Sequence, residues 1–190
     1  MIVVPIGVDC GLADIIKRHN LRYISLPFDW SVSYGGVSEI IRNKFKDFIP
    51  VDNNKINKTY NYNFFHNDFP KDNDKINRRC DRFIELLNNG TESLVFIRKG
   101  HAFHHHKESE NLNLKLENDI KDAEKLNNVL KDDYPELKYK IIVLLVCSKC
   151  FDEQIIYESE DVNITIHNIV SPVVDNKRFS ELFTKLINHI

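Results

Sequence analysis

The chain has 190 residues, enough for one hydrophobic core of ordinary size and too few for two comfortable ones. Hydrophobic residues make up 42% and charged residues 28%, and the formal charge of -2 with a pI near 6.4 excludes a surface built to neutralise many phosphates, so nucleic acid is not an expected partner. No apolar run reaches the roughly 18 to 20 residues that span a bilayer, and the N-terminus has no basic n-region or cleavage site, which predicts a cytoplasmic protein away from membranes. The cysteines, Cys10, Cys80, Cys147 and Cys150, are then expected as thiols rather than staples.

In chain order, Ile2 to Val8 is an apolar run closed by Asp9, and Leu12, Ile15 and Ile16 recur at helical spacing. This predicts strand, sharp turn and helix, with Asp9 as N-cap and Cys10 at the helix start. Tyr23 to Gly36 is rich in aromatic and turn residues and reads as an ordered loop, followed by a short helix from Val37 to about Lys44. The alternation Tyr60, Tyr62, Phe64 predicts a strand ending near His66. Ile76, Cys80, Phe83, Ile84 and Leu87 share one helix face that Asn88, Asn89 and Gly90 terminate, which makes Cys80 a core residue.

Ser93 to Ile97 and Ile141 to Val146 read as buried strands, Val162 to Ile166 as an alternating one, and Ile120 to Leu130 and Phe179 to Ile187 as helices; Lys107 to Asn113 is a polar loop. Apolar strands that alternate with helices are buried on both faces, as parallel strands between two helix layers are. The expected fold is α/β, a three-layer sandwich with a mostly parallel central sheet and helices on both faces, formed as one domain over residues 1–190. Ligands of such sheets gather at the carboxyl ends of the strands, where Cys10 and the segment after Arg98 both fall.

A thiol with a pKa of about 8.5 is only a few per cent thiolate at neutral pH, so a nucleophilic Cys10 needs stabilisation of its anion. A helix N-terminus contributes roughly 0.3 to 1 kcal/mol, less than the 1.36 kcal/mol of one pKa unit. An imidazole must supply the rest. His66, at a predicted strand end and followed by Asn67 and Asp68, is the preferred general base, with His101 in reserve. Asp29 either orients that base or locks its own loop, and Trp30 either walls a pocket or bonds backbone through its indole N–H. Arg98 either holds an anion through its planar fork or pairs with an acid of the chain.

The cluster His101, His104, His105 and His106 has poor spacing for one metal site, and Cys147 and Cys150 form a CxxC that makes half of a zinc site or a redox pair only with a context the sequence does not supply, such as a second CxxC, so no metal or cofactor is expected. Nothing in the sequence fixes an oligomeric state.

The order Gly7-Val8-Asp9-Cys10, Pro27-Phe28-Asp29-Trp30, Phe65-His66-Asn67-Asp68, Arg78-Arg79 and Val95-Phe96-Ile97-Arg98 resembles the putative papain-like cysteine peptidase family of bacteria and viruses, chiefly over residues 1 to 100. The resemblance implies that Cys10 matches the motif cysteine and His66 the motif histidine, with Asp29, Asp68 and Arg98 at other motif positions. The strand–helix alternation differs from a papain-like arrangement, where a cysteine-bearing helix packs on an antiparallel sheet. By architecture alone it is closer to SGNH esterases, with cysteine in place of serine. Either way the expected chemistry is acyl transfer on a peptide, isopeptide or ester, with the oxyanion held by the amides around Cys10 and Gly11. The alternative is a non-catalytic binding module that uses Arg98, Trp30 and the histidines to hold a ligand.

Overall fold

The computed structural model describes residues 1–7, 10–33, 35–51, 54–99, 112–147, 154–158, 163–170, 181 and 184–185, with side chains from residue 112 onward described over 118–144, 163–165, 181 and 184–185. In chain order its elements are β1 (Ile2–Gly7), α1 (Gly11–Arg18), β2 (Val32–Ser33), α2 (Val37–Arg42), β3 (Ile56–Asn57), β4 (Tyr62–Asn63), α3 (Asn73–Asn89), β5 (Leu94–Lys99), α4 (Leu112–Asp133), β6 (Tyr139–Cys147), β7 (Gln154–Glu158) and β8 (Ile164–Val170). The main sheet has the order β1-β5-β6-β8-β7. Its first four strands are mutually parallel and β7 runs antiparallel to β8.

The apolar runs of β1, β5 and β6 are continuous because each strand has a helix layer on both sides. Alternate residues make this explicit. Val3, Val95, Ile97, Ile142 and Leu144 face one side and pack against Leu12, Ile15 and Ile16 of α1. Val4, Ile6, Leu94, Phe96, Ile141 and Val143 face the other and meet α2, α3 and α4 through residues that include Ile40, Phe83 and Leu126. The protein is therefore an α/β sandwich of three layers, and each fully buried apolar side chain contributes on the order of 1.5 to 3 kcal/mol.

The helices follow from local chemistry. α1 places its buried residues at i, i+3 and i+4, carries Asp14 in its first turn and Lys17 and Arg18 in its last, and links Asp14 to Arg18 by an ion pair. α3 stops at Gly90, whose φ of 57° is the left-handed conformation of a helix C-terminus. Cys80 lies on its buried face, as the periodicity requires, and burial pushes its thiol up to about 12.

A second, three-stranded antiparallel sheet in the order β2-β4-β3 lies beside the first and contacts β1 through β2. Its strands have two residues each, so the strand expected over Tyr60 to His66 is shorter than its alternation. The alternation is nevertheless real as burial, since Tyr60, Tyr62 and Phe64 all enter the core while Asn61 is exposed. Asn61 has a φ of 48°, which breaks the extended backbone before a longer strand can form. Tyr62 packs on Phe28, Phe48 and Phe64 with ring centroids 6.1, 4.8 and 4.7 Å away, a cluster that Phe28 extends to Phe45 and Phe83. Such pairs add about 0.5 to 1.5 kcal/mol each beyond their area.

The expected N-cap Asp9 and the polar loop over Lys107 to Asn113 lie outside the described residues, save for the described backbone of Leu112 and Asn113 in α4. The expected closing helix is described only at residues 181 and 184–185.

Candidate active site

β1 ends at Gly7, paired in register with Lys99 of β5. Its φ is 121°, and a Cβ there would stand 2.4 Å from the carbonyl oxygen and 2.8 Å from the nitrogen of Lys99. Only glycine meets both conditions. Ser33 holds the same residue from the other side: its Oγ accepts from the Gly7 N–H at 3.0 Å and donates to the Gly7 carbonyl at 3.4 Å. The small sheet positions that serine, since Ser33 pairs with Tyr62 of β4.

From this anchored strand end the chain leads to Cys10, which flanks α1 with φ -67° and ψ -19°, already helical, and whose carbonyl accepts from the Ala13 amide at 3.3 Å. Cys10 is half-buried, and Gly11 is the first residue of the helix. Cys10 lines a shallow cleft with Pro5, Ile6, Gly7, Ala13, Phe28, Trp30, Ser31 and Ser33. Two expected site residues, Cys10 and Trp30, thus share one concavity at the carboxyl end of β1, where the fold class places ligands.

Trp30 is set by its neighbour. The buried carboxylate of Asp29 accepts from Arg22 Nε at 2.9 Å, from Arg22 Nη2 at 2.7 Å and from the Leu26 amide at 3.1 Å, all on one oxygen. This clamp fixes a turn in which Trp30 adopts a φ of 62°, rare for a large side chain. The Trp30 ring also meets His66, with the two ring centroids 6.1 Å apart at 80°. His66 is exposed and follows the buried Phe64 by two residues. Cys10, Trp30 and His66 therefore form a sequence of neighbours, cysteine and indole through the cleft, indole and imidazole edge to face.

The remaining expected residues are engaged elsewhere. Asp29 bonds Arg22 rather than an imidazole. Asp68 is exposed and pairs with Lys55 at 3.2 Å, while its amide donates to Asp72 at 2.9 Å. Lys75, that amide and Asn67 hold the Asp72 carboxyl down at about 2. Arg98 is buried on the α4 side of the sheet, with Nε 3.0 Å from Asp119 and Nη2 3.0 Å from Asp122. Of the two readings of Arg98, the pairing with acids of the chain is the one seen. Arg98 and Asp122 line a second, narrow cleft with Gly35, Gly36 and Ser38, and the two clefts share Ile6.

Arg22, Asp119, Asp122 and Ser33 were not singled out by the sequence. The two aspartates do stand three residues apart on α4, a spacing that puts both on one helix face. His101, His104, His105, His106 and Cys150 lie outside the described residues, as do the side chains of Cys147 and His167.

Among the described residues no group of three or more His, Cys, Asp or Glu side chains could hold a metal, and no helix is long and apolar enough to cross a membrane. Neither a curated protein nor a solved structure matches the chain. A family described as "putative papain-like cysteine peptidase" matches residues 1–131, a span from β1 into the last turn of α4 that contains both clefts except Ile141. With the match covering more than half of its length and including Cys10, the Pro27 to Trp30 turn, His66 and Arg98, the chain belongs to this putative papain-like cysteine peptidase family.

Proposed function

We propose that the protein is a thiol hydrolase in which Cys10 is the nucleophile and His66 the general base. The observation that carries this reading is the shared cleft of Cys10 and Trp30, with the Trp30 ring set edge to face against His66. In the reaction, the Cys10 proton passes to the imidazole and Sγ attacks the carbonyl carbon of a peptide, isopeptide or ester. The amides around Cys10 and Gly11 hold the oxyanion, the leaving group departs with a proton from His66, and water activated by the same ring hydrolyses the thioester. Backbone amides suit this role because they are fixed before reaction.

In this reading Trp30 walls the acyl site and keeps water from it. Asp29 is a positioning residue, since its contact is with Arg22 and its effect on His66 passes through Trp30. Asp68, exposed two residues beyond His66, is the charge a substrate meets at the rim. Arg98 anchors α4 beneath the adjoining cleft and contributes to substrate binding through the shape of that cleft.

The test is alkylation of the intact protein by iodoacetamide, followed by mass spectrometry and resolved by site and pH. Cys10 is expected to react about tenfold faster at pH 7 than glutathione, because a pairing imidazole raises the thiolate fraction from a few per cent towards one half. His66→Ala should return it to the small-thiol rate. A wild-type Cys10 no faster than glutathione would leave the chain a binding module, and an unchanged rate in His66→Ala would move the base elsewhere.

A further inference from the structure

Ser33 stands apart from the other polar groups of the Cys10 cleft. It is 2% exposed, lines the cleft, and accepts the Gly7 amide at 3.0 Å. Among the described residues its own proton has only the Gly7 carbonyl, at 3.4 Å, outside the 2.5 to 3.0 Å range of ordinary O–H···O bonds. A hydroxyl that accepts a good hydrogen bond is polarised towards donating one. Here that donor is poorly used, buried, and directed by a two-residue strand against the β1 end that leads to Cys10.

The other cleft hydroxyl differs. Ser31 donates to the Phe28 carbonyl at 2.8 Å and contacts the Tyr62 hydroxyl, so it is committed to the turn.

We infer that Ser33 is a further catalytic residue, a side-chain oxyanion donor that acts beside the backbone amides during acylation of Cys10. The inference rests on the thiol-hydrolase reading and adds a group to its site. In the step, a lone pair of the Cys10 thiolate forms the S–C bond and the carbonyl π pair moves onto oxygen. The Ser33 O–H turns from the Gly7 carbonyl to hydrogen-bond that oxygen without transferring its proton, while the Gly7 N–H···Oγ bond is kept. Collapse restores the carbonyl and expels the leaving group with the electron pair of its bond. With p-nitrophenyl acetate the products are S-acetylated Cys10 and p-nitrophenolate. Such donors stabilise charge that exists only in the transition state, and removing one costs roughly 100- to 1,000-fold in rate.

Two electrophiles separate this role from a structural one. Acylation by p-nitrophenyl acetate passes through an oxyanion, whereas alkylation by iodoacetamide is a displacement at carbon and does not. In Ser33→Ala, site-resolved acetylation of Cys10 is expected to fall roughly 100-fold while its iodoacetamide rate and pH profile stay within about twofold. Ser33→Cys, nearly isosteric and a weak donor, should show the same selective loss and covers the case in which the alanine variant does not fold. Equal losses with both probes would make Ser33 only a support for the loop and overturn the inference. So would no loss with either. A wild-type Cys10 that iodoacetamide labels no faster than glutathione removes the hydrolase reading itself, and this role with it.

Discussion

Removing the Asp29 carboxylate tests whether the turn before Trp30 is held by one ion pair. Asp29→Ala deletes three hydrogen bonds to a side chain only 1% exposed and leaves the Arg22 guanidinium, itself 20% exposed, without its acid. Hydrogen bonds to charged groups are worth about 1.5 to 3 kcal/mol each, and breaking a buried pair costs about 3 to 5 kcal/mol in all. Arg22 recovers part of its hydration through its exposed fifth, which sets the expected loss near the lower limit, about 3 kcal/mol. With a urea m-value of about 2 kcal/mol/M the midpoint falls by about 1.5 M. Trp30, the chain's one tryptophan and the next residue, reports the transition by fluorescence. Arg22→Ala in the Asp29→Ala background should add little, because the pair is already lost. A loss below about 1 kcal/mol together with abolished Cys10 reactivity would refute this account and make Asp29 part of the chemistry.

Two further outcomes concern groups whose titration is displaced by the fold. Burial raises the Cys80 thiol to about 12, so the folded state favours the protonated form. Its contribution to stability is whole below the unfolded thiol value near 9 and declines as pH rises towards 12; Cys80→Ala should flatten that part of the pH–stability curve, and Cys80 should resist iodoacetamide at pH 8 until urea unfolds the chain. For Asp72 the sign is opposite. Its carboxyl is lowered from 3.8 to about 2 by Lys75 and the Asp68 amide, so its contribution is present above pH 4 and lost as pH falls towards 2. Asp72→Asn should remove that slope from the acid limb of the thermal melting curve.

The layers of the fold were legible because three strands are buried on both faces and two helices keep strict periodicity. Ile2 to Gly7, Leu94 to Ile97 and Ile141 to Val146 each carry an unbroken apolar run, and α3 ends at the glycine its pattern requires. Of the small sheet only β4 was legible, inside the Tyr60 to Phe64 alternation; β2 and β3, of two residues each, are too short for any period to emerge. β7 was missed as well, its register with β8 shifting between Ile155 and Tyr157. At the candidate site, the strand-to-helix turn announced Cys10, and its order with the Pro27 to Trp30 turn and His66 gave the family. The partners of Asp29 and Arg98 stayed hidden because they are tertiary. Arg22 precedes the motif it clamps, and Asp119 and Asp122 reach Arg98 only after α4 has packed on the sheet. Ser33 carries no pattern at all; its meaning arises from a backbone contact to Gly7.

The position of β5 between β1 and β6 has a consequence for the order in which the molecule acquires its chemistry. Among the described strands β1 has no other neighbour in the main sheet, so Gly7 lacks its partner Lys99 until Leu94 to Lys99 has been synthesised. Ser33 depends in turn on Tyr62, which is also made well after Cys10. During translation Cys10 therefore emerges well before the residues that give it its surroundings, and such long-range pairings close slowly. A nascent chain carries an ordinary thiol, and whatever reactivity the folded cleft confers is withheld until β5 has been made and paired.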